Sequence, residues 1–419
     1  MRILSRVAVA AVLSFGGVLA AQAPAPTSGP HGWRWRPVPQ VDATVFAVCW
    51  PHGFDDDAEA ESGLAAAVAE YRLLRARRAV SDATASGVRV VGDATVAYVL
   101  VPATRARDGL AFVRALLDDD AAADDDLAAL ALARAALAAD DAEWLYPGPV
   151  LEGRARRALL TGGAARSVQG SAVRLLALTP TRLRERAQAP VPVRGLVLGA
   201  VGDELRAEVA VVPTPAEPPF AFRRAASVRG AAPPSDAVVQ SAHARLDGPF
   251  AALAFAVAED VGRAALAVGI EVARMRAARE LPLRGPEVRA RAPLVAWSWL
   301  EGEPLVLCCR RGANGAEPAA AFAELDALVE DLRSRPPTAA ECDIASRTLR
   351  WELGLTPLPP GTDGAALPGR AVALLLADLR GVTEAAVAGV TPEAAHAALR
   401  AVLDPRRACR SALVPAASR

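Results

Sequence analysis

At 419 residues the chain is longer than one ordinary hydrophobic core supports, since single cores stop growing at about 250–300 residues, so it is read as two domains. Its 47 basic side chains balance 47 acidic ones, which excludes a global field that would recruit nucleic acid or an anionic membrane. Every fixed cation is arginine and lysine is absent, a compositional trait that carries no mechanism.

Arg2 and Arg6 precede an apolar run from Val7 to Ala21, and small residues and prolines follow. This is the pattern of a secretory signal peptide, and the run is short for a membrane span. A signal peptide is assigned to 1–23, with cleavage expected after Ala20 or Ala21, and a Pro-rich leader to 24–40. The chain is expected to be exported, periplasmic or extracellular, with no membrane span after cleavage. Trp33 and Trp35 alternate with Arg34 and Arg36, which suits either an exposed aromatic and cationic patch or an N-terminal arm packed on the first domain.

Val41 to Trp50 reads as a strand apolar on both faces. An acidic loop, Pro51 to Glu61, leads to a helix over Gly63 to Arg78, with Ser62 as its expected N-cap and Leu64, Val68, Tyr71 and Leu74 on one stripe. Val88 to Val101 reads as two strands turning at Gly92-Asp93. Helices are expected over Arg107 to Leu117, Leu127 to Ala139 and Leu151 to Leu160. The Asp-rich stretch between the first two lacks the pattern of a calcium loop, and the Gly-rich Thr161 to Gly170 lacks the Gly-Lys-Ser/Thr ending of a phosphate cradle.

Leu178-Thr179-Pro180 opens a helix to Ala187, since Thr as N-cap with Pro at the first helical position is a favoured start. A strand over Gly195 to Val201 follows. The same phrase recurs as Val390-Thr391-Pro392-Glu393, a helix to Leu403, a break at Asp404-Pro405 and a strand over Arg410 to Pro415. Two copies, each closing about half of the chain, point to an internal duplication. Between the halves, Val211 to Ser235 carries six prolines and reads as an extended linker.

The second half repeats the mixture: an apolar Phe250 to Ala258, a helix over Val261 to Glu280, strands over Leu294 to Leu300 and Leu305 to Arg310, and a helix over Phe322 to Leu332. Another helix is opened by Thr338 and Glu341 in capping-box spacing. An α+β class follows, with each sheet covered by helices on one side. The five cysteines form no CxxC pair, and most are expected to be buried and unpaired. The four histidines are scattered with no Gly-x-Ser-x-Gly elbow to pair with, and His52 reads as a turn residue.

In its order of phrases, His52-Gly53-Phe54-Asp55-Asp56, Glu61-Ser62-Gly63-Leu64-Ala65, the Val88 to Val101 hairpin, Leu178-Thr179-Pro180, Val197 to Asp203, Arg335 to Thr338 and Val390 to Glu393, the chain resembles the insulinase/pitrilysin (M16) family of zinc peptidases. The resemblance implies two homologous M16-type (LuxS/metallohydrolase-like) domains, each a mainly antiparallel sheet covered by helices, over 41–210 and 238–417, joined by a linker over 211–237. Active members carry HxxEH on the helix after Gly-Leu-Ala, where two His a helical turn apart hold zinc and the Glu activates its water. That frame falls here on Ala66-Ala67-Val68-Ala69-Glu70, and the further carboxylate ligand falls near Asp140. Alanine cannot ligate, so no catalytic residue is assigned and zinc is expected to be lost. The family's second-domain Arg and Tyr, which hold substrate, align with Arg276 to Ala292, where Arg279 remains and no Tyr exists. The implied role is a non-catalytic, peptide-holding subunit, or the partner of an HxxEH-containing M16 homologue in a hetero-oligomer. The alternative is an active metallopeptidase or hydrolase with a rebuilt site using Glu70 and Asp140.

Overall fold

The computed structural model describes residues 27–28, 33–38, 41–80, 85–118, 124–145, 147–160, 170–188, 193–199, 202–210, 238–243, 246, 248–257, 261–279, 293–297, 305–310, 317–356 and 363–415. The signal peptide, most of the Gly-rich loop, the Pro-rich linker and the segment 280–292 lie outside the described residues.

The first half builds β1 (Thr27–Ser28), β2 (Trp33–Arg36), β3 (Ala43–Trp50), α1 (Leu64–Ala79), β4 (Ala85–Val90), β5 (Thr95–Pro102), α2 (Ala106–Leu117), α3 (Asp125–Leu145), α4 (Pro147–Leu159), α5 (Ala172–Leu176), α6 (Pro180–Ala187), β6 (Arg194–Gly199) and α7 (Asp203–Ala210). The second builds β7 (Val238–His243), β8 (Phe250–Phe255), α8 (Arg263–Arg279), β9 (Pro293–Trp297), β10 (Leu305–Arg310), α9 (Pro318–Ser334), α10 (Ala339–Glu352), α11 (Leu367–Leu379), α12 (Glu384–Ala388), α13 (Pro392–Val402) and β11 (Cys409–Pro415).

Two sheets result, one ordered β1-β2-β6-β3-β5-β4 and the other β7-β11-β8-β10-β9. Apart from β1 they match strand for strand: β6 runs parallel to β2 and antiparallel to β3, as β11 does to β7 and β8. The duplication read from the Thr-Pro phrases is therefore present in the topology. Thr179 and Thr391 each cap their helix by accepting from the backbone N–H three residues on, and Thr338 with Glu341 forms the reciprocal box.

The N-terminal arm is structural. Trp33 is fully buried and Trp35 nearly so, because β2 lies beside β6 with Trp33 opposite Gly195. A side chain at Gly195 would sit 2.2 Å from the Trp33 ring, so glycine is what lets the indole lie on the strand. The sheet thus recruits residues that the sequence reading left to the leader, and the exposed aromatic patch is not formed.

The expected one-sided cover is also corrected. One face of the first sheet (Phe46, Val48, Ala97, Val99, Val101) packs on helices of its own half. The opposite face (Val45, Ala47, Cys49, Val96, Leu100) packs on Leu367, Ala371, Leu375, Leu376 and Leu379 of α11, which belongs to the second half. In return Leu151, Ala155 and Leu159 of α4 pack on Phe250, Ala252, Ala254, Val306 and Leu413 of the second sheet. Each half therefore lends one helix to the other. Polar contacts hold the exchange: Arg380, just after α11, bonds both oxygens of Asp93 at 2.7 and 2.6 Å, and Asp378 accepts from Arg34 and Arg194.

Cys49, Cys308, Cys342 and Cys409 are buried and free, as expected for most of the five. Among the described residues no helix is long and apolar enough to cross a membrane.

Candidate functional site: a pocket between α1, α3 and the edge of the first sheet

Helix α1 begins at Gly63, whose φ of 100° is a left-handed conformation that favours glycine. Ser62, the expected cap, does not cap it. The carboxylate of Asp57, six residues before, accepts from Gly63 N at 2.8 Å and Ala65 N at 3.0 Å. A buried acceptor supplied by the preceding turn thus satisfies the orphan amides of the helix start. Burial pushes the Asp57 carboxyl up to about 7 against the opposing pull of these amides and Arg186.

The sign follows from the direction of that shift. An unfolded Asp titrates near 4, so between about pH 4 and 7 the folded chain holds a proton that the unfolded chain has lost. This group's contribution to stability is greatest below about pH 4 and falls as pH rises to about 7, by up to ~1.4 kcal/mol per pH unit. Denaturant midpoints between pH 4.5 and 8 should show that decline, and Asp57→Asn, which keeps the acceptor oxygen without the ionisation, should flatten it. An unchanged slope in the variant would assign the decline to another group.

Along α1, Leu64, Val68, Tyr71 and Leu74 pack against Leu127, Ala131 and Ala135 of α3, and Ala69, Leu73 and Ala76 pack toward the sheet. Ala66 and Glu70, one turn apart, line a pocket of about 360 Å³ with Phe54, Val88, Arg89 and Val90 of β4, Arg134, Ala135 and Ala138 of α3, and Glu152 of α4. Glu70 Oε1 lies 2.9 Å from Arg134 Nε, an ion pair whose geometry leaves that oxygen without an aligned hydrogen bond. Glu152 Oε1 is closed off from solvent and also has no hydrogen-bond partner. Burial raises the Glu152 carboxyl above its ordinary value, against the attraction of Arg156 and Arg89.

The pocket is held from behind. Fully buried Arg156 donates to Asp55 Oδ1 at 2.6 Å, and Phe54 N and Asp55 N donate to the carbonyls of Val91 and Gly92 in the β4–β5 turn. The acidic loop, α4 and the hairpin are thereby fixed to one another. Strand β4 is the last strand of its sheet, so Val88 to Val90 place a sheet edge at the pocket.

Of the positions singled out in the sequence, the structure brings Ala66 and Glu70 together at this pocket. Ala69 is fully buried on the sheet side of α1. Asp140 falls inside α3 but is exposed, and the pocket is lined instead by Arg134, Ala135 and Ala138 on earlier turns. Arg279 ends α8, and its side chain lies outside the described residues, as does the rest of the segment 280–292. The sequence reading missed Arg89, Arg134 and Glu152, which come from three separate elements. The one signal for any of them is that Arg134 and Ala138 sit a turn apart on a helix whose buried stripe meets α1.

No protein-family model matches the sequence, and no curated protein matches it by sequence. Solved structures do match. A protease from Helicobacter pylori superposes with a TM-score of 0.70 at 13% identity, covering 93% of this chain and 99% of the other. A peptidase M16 inactive domain from Pseudomonas fluorescens gives 0.67 at 15% identity, over 94% and 98%. The chain has the M16 peptidase fold. The periplasmic protease PqqL from Escherichia coli gives 0.60 at 11% identity, with 99% of this chain covering 49% of that one. These matches extend over both halves of the chain.

Proposed function

We propose that the chain is an exported, non-catalytic M16-fold subunit that holds extended peptide along the edge of β4 and works beside a zinc-bearing homologue. The observation that carries this reading is the chemistry at the ligand frame: a methyl group at Ala66, a buried methyl at Ala69, and at Glu70 a carboxylate already set against the Arg134 guanidinium. That donor set does not fit a zinc ion, which takes three or four N, S or O donors and is repelled by a cation at the same place. The likeness to an inactive M16 domain supports the loss of catalysis. The likeness to a periplasmic protease, together with the apolar N-terminal run, supports export. A sheet edge binds extended peptide through main-chain hydrogen bonds and needs no metal to do so.

Metal analysis of the purified chain should return zinc well below one equivalent, and the chain alone should not cleave peptides in a chelator-sensitive way. Stoichiometric, tightly held zinc with chelator-sensitive cleavage would overturn the non-catalytic reading. Purification from the native host should recover a homologous HxxEH chain, and recovery of the monomer alone would overturn the partner role.

A further inference from the structure

Among the described residues six large apolar side chains stand exposed, and they fall into two groups. Leu130 and Leu137 lie on α3 and Val173 and Leu176 on α5, while Ile344 and Trp351 lie on α10. Helices α3 and α5 pack on each other, with Leu175 of α5 buried among side chains of α3. Exposed apolar side chains met singly need no explanation, whereas gathered ones mark an interaction site. On α3 and on α10 the two exposed residues are seven apart, so each pair lies on one stripe about 10 Å long. Ala133, small and exposed, stands between the first pair and Thr348 between the second. Stripes of equal spacing can lie side by side where two helices pack.

The charges around the stripes differ in sign. On α3, Asp126 stands a turn before Leu130, and Asp140 and Asp141 stand a turn after Leu137; all three are exposed and form no ion pair among the described residues. The cations nearby are taken, Arg134 by Glu70, Arg184 by Asp125 and Arg174 by Glu59. Around α10 the arginines are in excess. Arg370 stacks on Trp351 at 4.3 Å and donates to the carbonyls of Trp351 and Thr356, and Arg36 donates to those of Gly354 and Leu355. The carboxylates there are held by other arginines, Asp343 by Arg347, Glu384 by Arg350 and Glu352 by Arg274. Two copies meeting α3 to α3 would bring the free aspartates together, and α10 to α10 would bring the arginines together. Only α3 against α10 sets opposite charges face to face. We propose that α3 of one copy docks on α10 of a second copy, with Leu130 and Leu137 against Ile344 and Trp351 and the terminal aspartates facing Arg347 and Arg370. This contact is heterologous, since two different patches meet, and it does not depend on the zinc-bearing partner proposed above.

Sedimentation of the full mature chain over a concentration series at low salt should show self-association that weakens as salt is added. Leu130→Gln with Leu137→Gln spoils the α3 stripe, and Ile344→Gln with Trp351→Gln spoils the α10 stripe. Each double variant should weaken association about 10- to 100-fold, the range for losing apolar anchors of an interface. Mixed together, the two variants should recover a one-to-one pair, because each keeps the face that the other has lost. Replacing Asp126, Asp140 and Asp141 by Asn should weaken association and flatten its salt dependence, and serves where a glutamine variant does not fold. A parent chain that stays monomeric at every concentration, a loss caused by only one of the two double variants, or no recovery on mixing would overturn the inference. Each of these results would leave the non-catalytic and peptide-holding readings untouched.

Discussion

Replacing Glu341 by alanine is expected to cost about 3 kcal/mol, the low end of the range for breaking a buried ion pair by removing one partner, because Asp331 stays beside the Arg276 guanidinium. Glu341 is the N3 residue of the α10 capping box, and its carboxylate accepts from Thr338 N at 2.9 Å. The same carboxylate takes Arg276 of α8 through both oxygens at 3.2 Å each. Arg276 is itself buried and donates further to the carbonyls of Arg335 and Pro336 at 2.9 and 3.0 Å. One side chain therefore caps the start of a helix, shares with Asp331 the neutralisation of a buried guanidinium and joins two core helices. Glu341→Gln keeps the box and the shape but loses the charge, so its cost should be smaller. The hydrogen bonds from Arg276 hold the Glu341 carboxyl down at about 2. With an unfolded value near 4.3, its contribution is fully present above about pH 4.3 and is lost as pH falls toward 2. Urea titrations at pH 7 and pH 3 check both statements. A variant as stable as the parent at pH 7 would contradict the first, and a Glu341→Ala deficit that does not shrink at pH 3 would contradict the second.

A chain cut once within 211–237 should remain a single particle. Continuity of the chain through 211–237 is not what holds the halves together, because α4 and α11 each complete the other half's core. Four leucines of α11, Leu367, Leu375, Leu376 and Leu379, are buried against the first sheet. At roughly 1.5–3 kcal/mol for each fully buried leucine side chain, this contact alone is comparable to the cost of holding two separate pieces together, about 4–15 kcal/mol, and the α4 contact adds to it. Gel filtration of the cut protein should give the intact elution volume, whereas residues 24–210 expressed alone should be insoluble or bind hydrophobic dyes. Clean separation of the two pieces into folded, soluble halves would show that the exchange is dispensable.

The features legible in the sequence were those set within a few residues. Thr179-Pro180, Thr338 with Glu341, and Thr391-Pro392 cap their helices through contacts three residues long, so spacing alone exposes them. The Gly92-Asp93 turn and the stripe along α1 are equally local. What escaped depends on distance along the chain. Asp57 rather than Ser62 caps α1 because the preceding turn folds its carboxylate back onto the helix start, which adjacent-residue rules do not capture. For Trp33 and Trp35 the sequence leaves an exposed patch and a packed N-terminal arm both open, and only the pairing with β6 decides for the arm. Helix α11 also meets its own half, through Ala377 in the second core and Arg370 over the Trp351 ring of α10, and its role toward the first sheet appears only when that sheet is seen to have a second apolar face. At the site, Ala66 and Glu70 were found as a frame, while Arg134 and Glu152 became visible only when α3 and α4 were placed against α1.

The reciprocal loan of helices also sets an order of events during synthesis. The apolar face of the first sheet waits for α11, which begins at Leu367, while every strand of that sheet has been made by Gly199. A nascent chain therefore carries an uncovered sheet face through the making of well over a hundred further residues, the condition in which partly folded chains aggregate or are held by chaperones. The first half cannot finish folding on its own schedule. Its native state is reached only as the second half arrives, through contacts that span most of the sequence and close slowly.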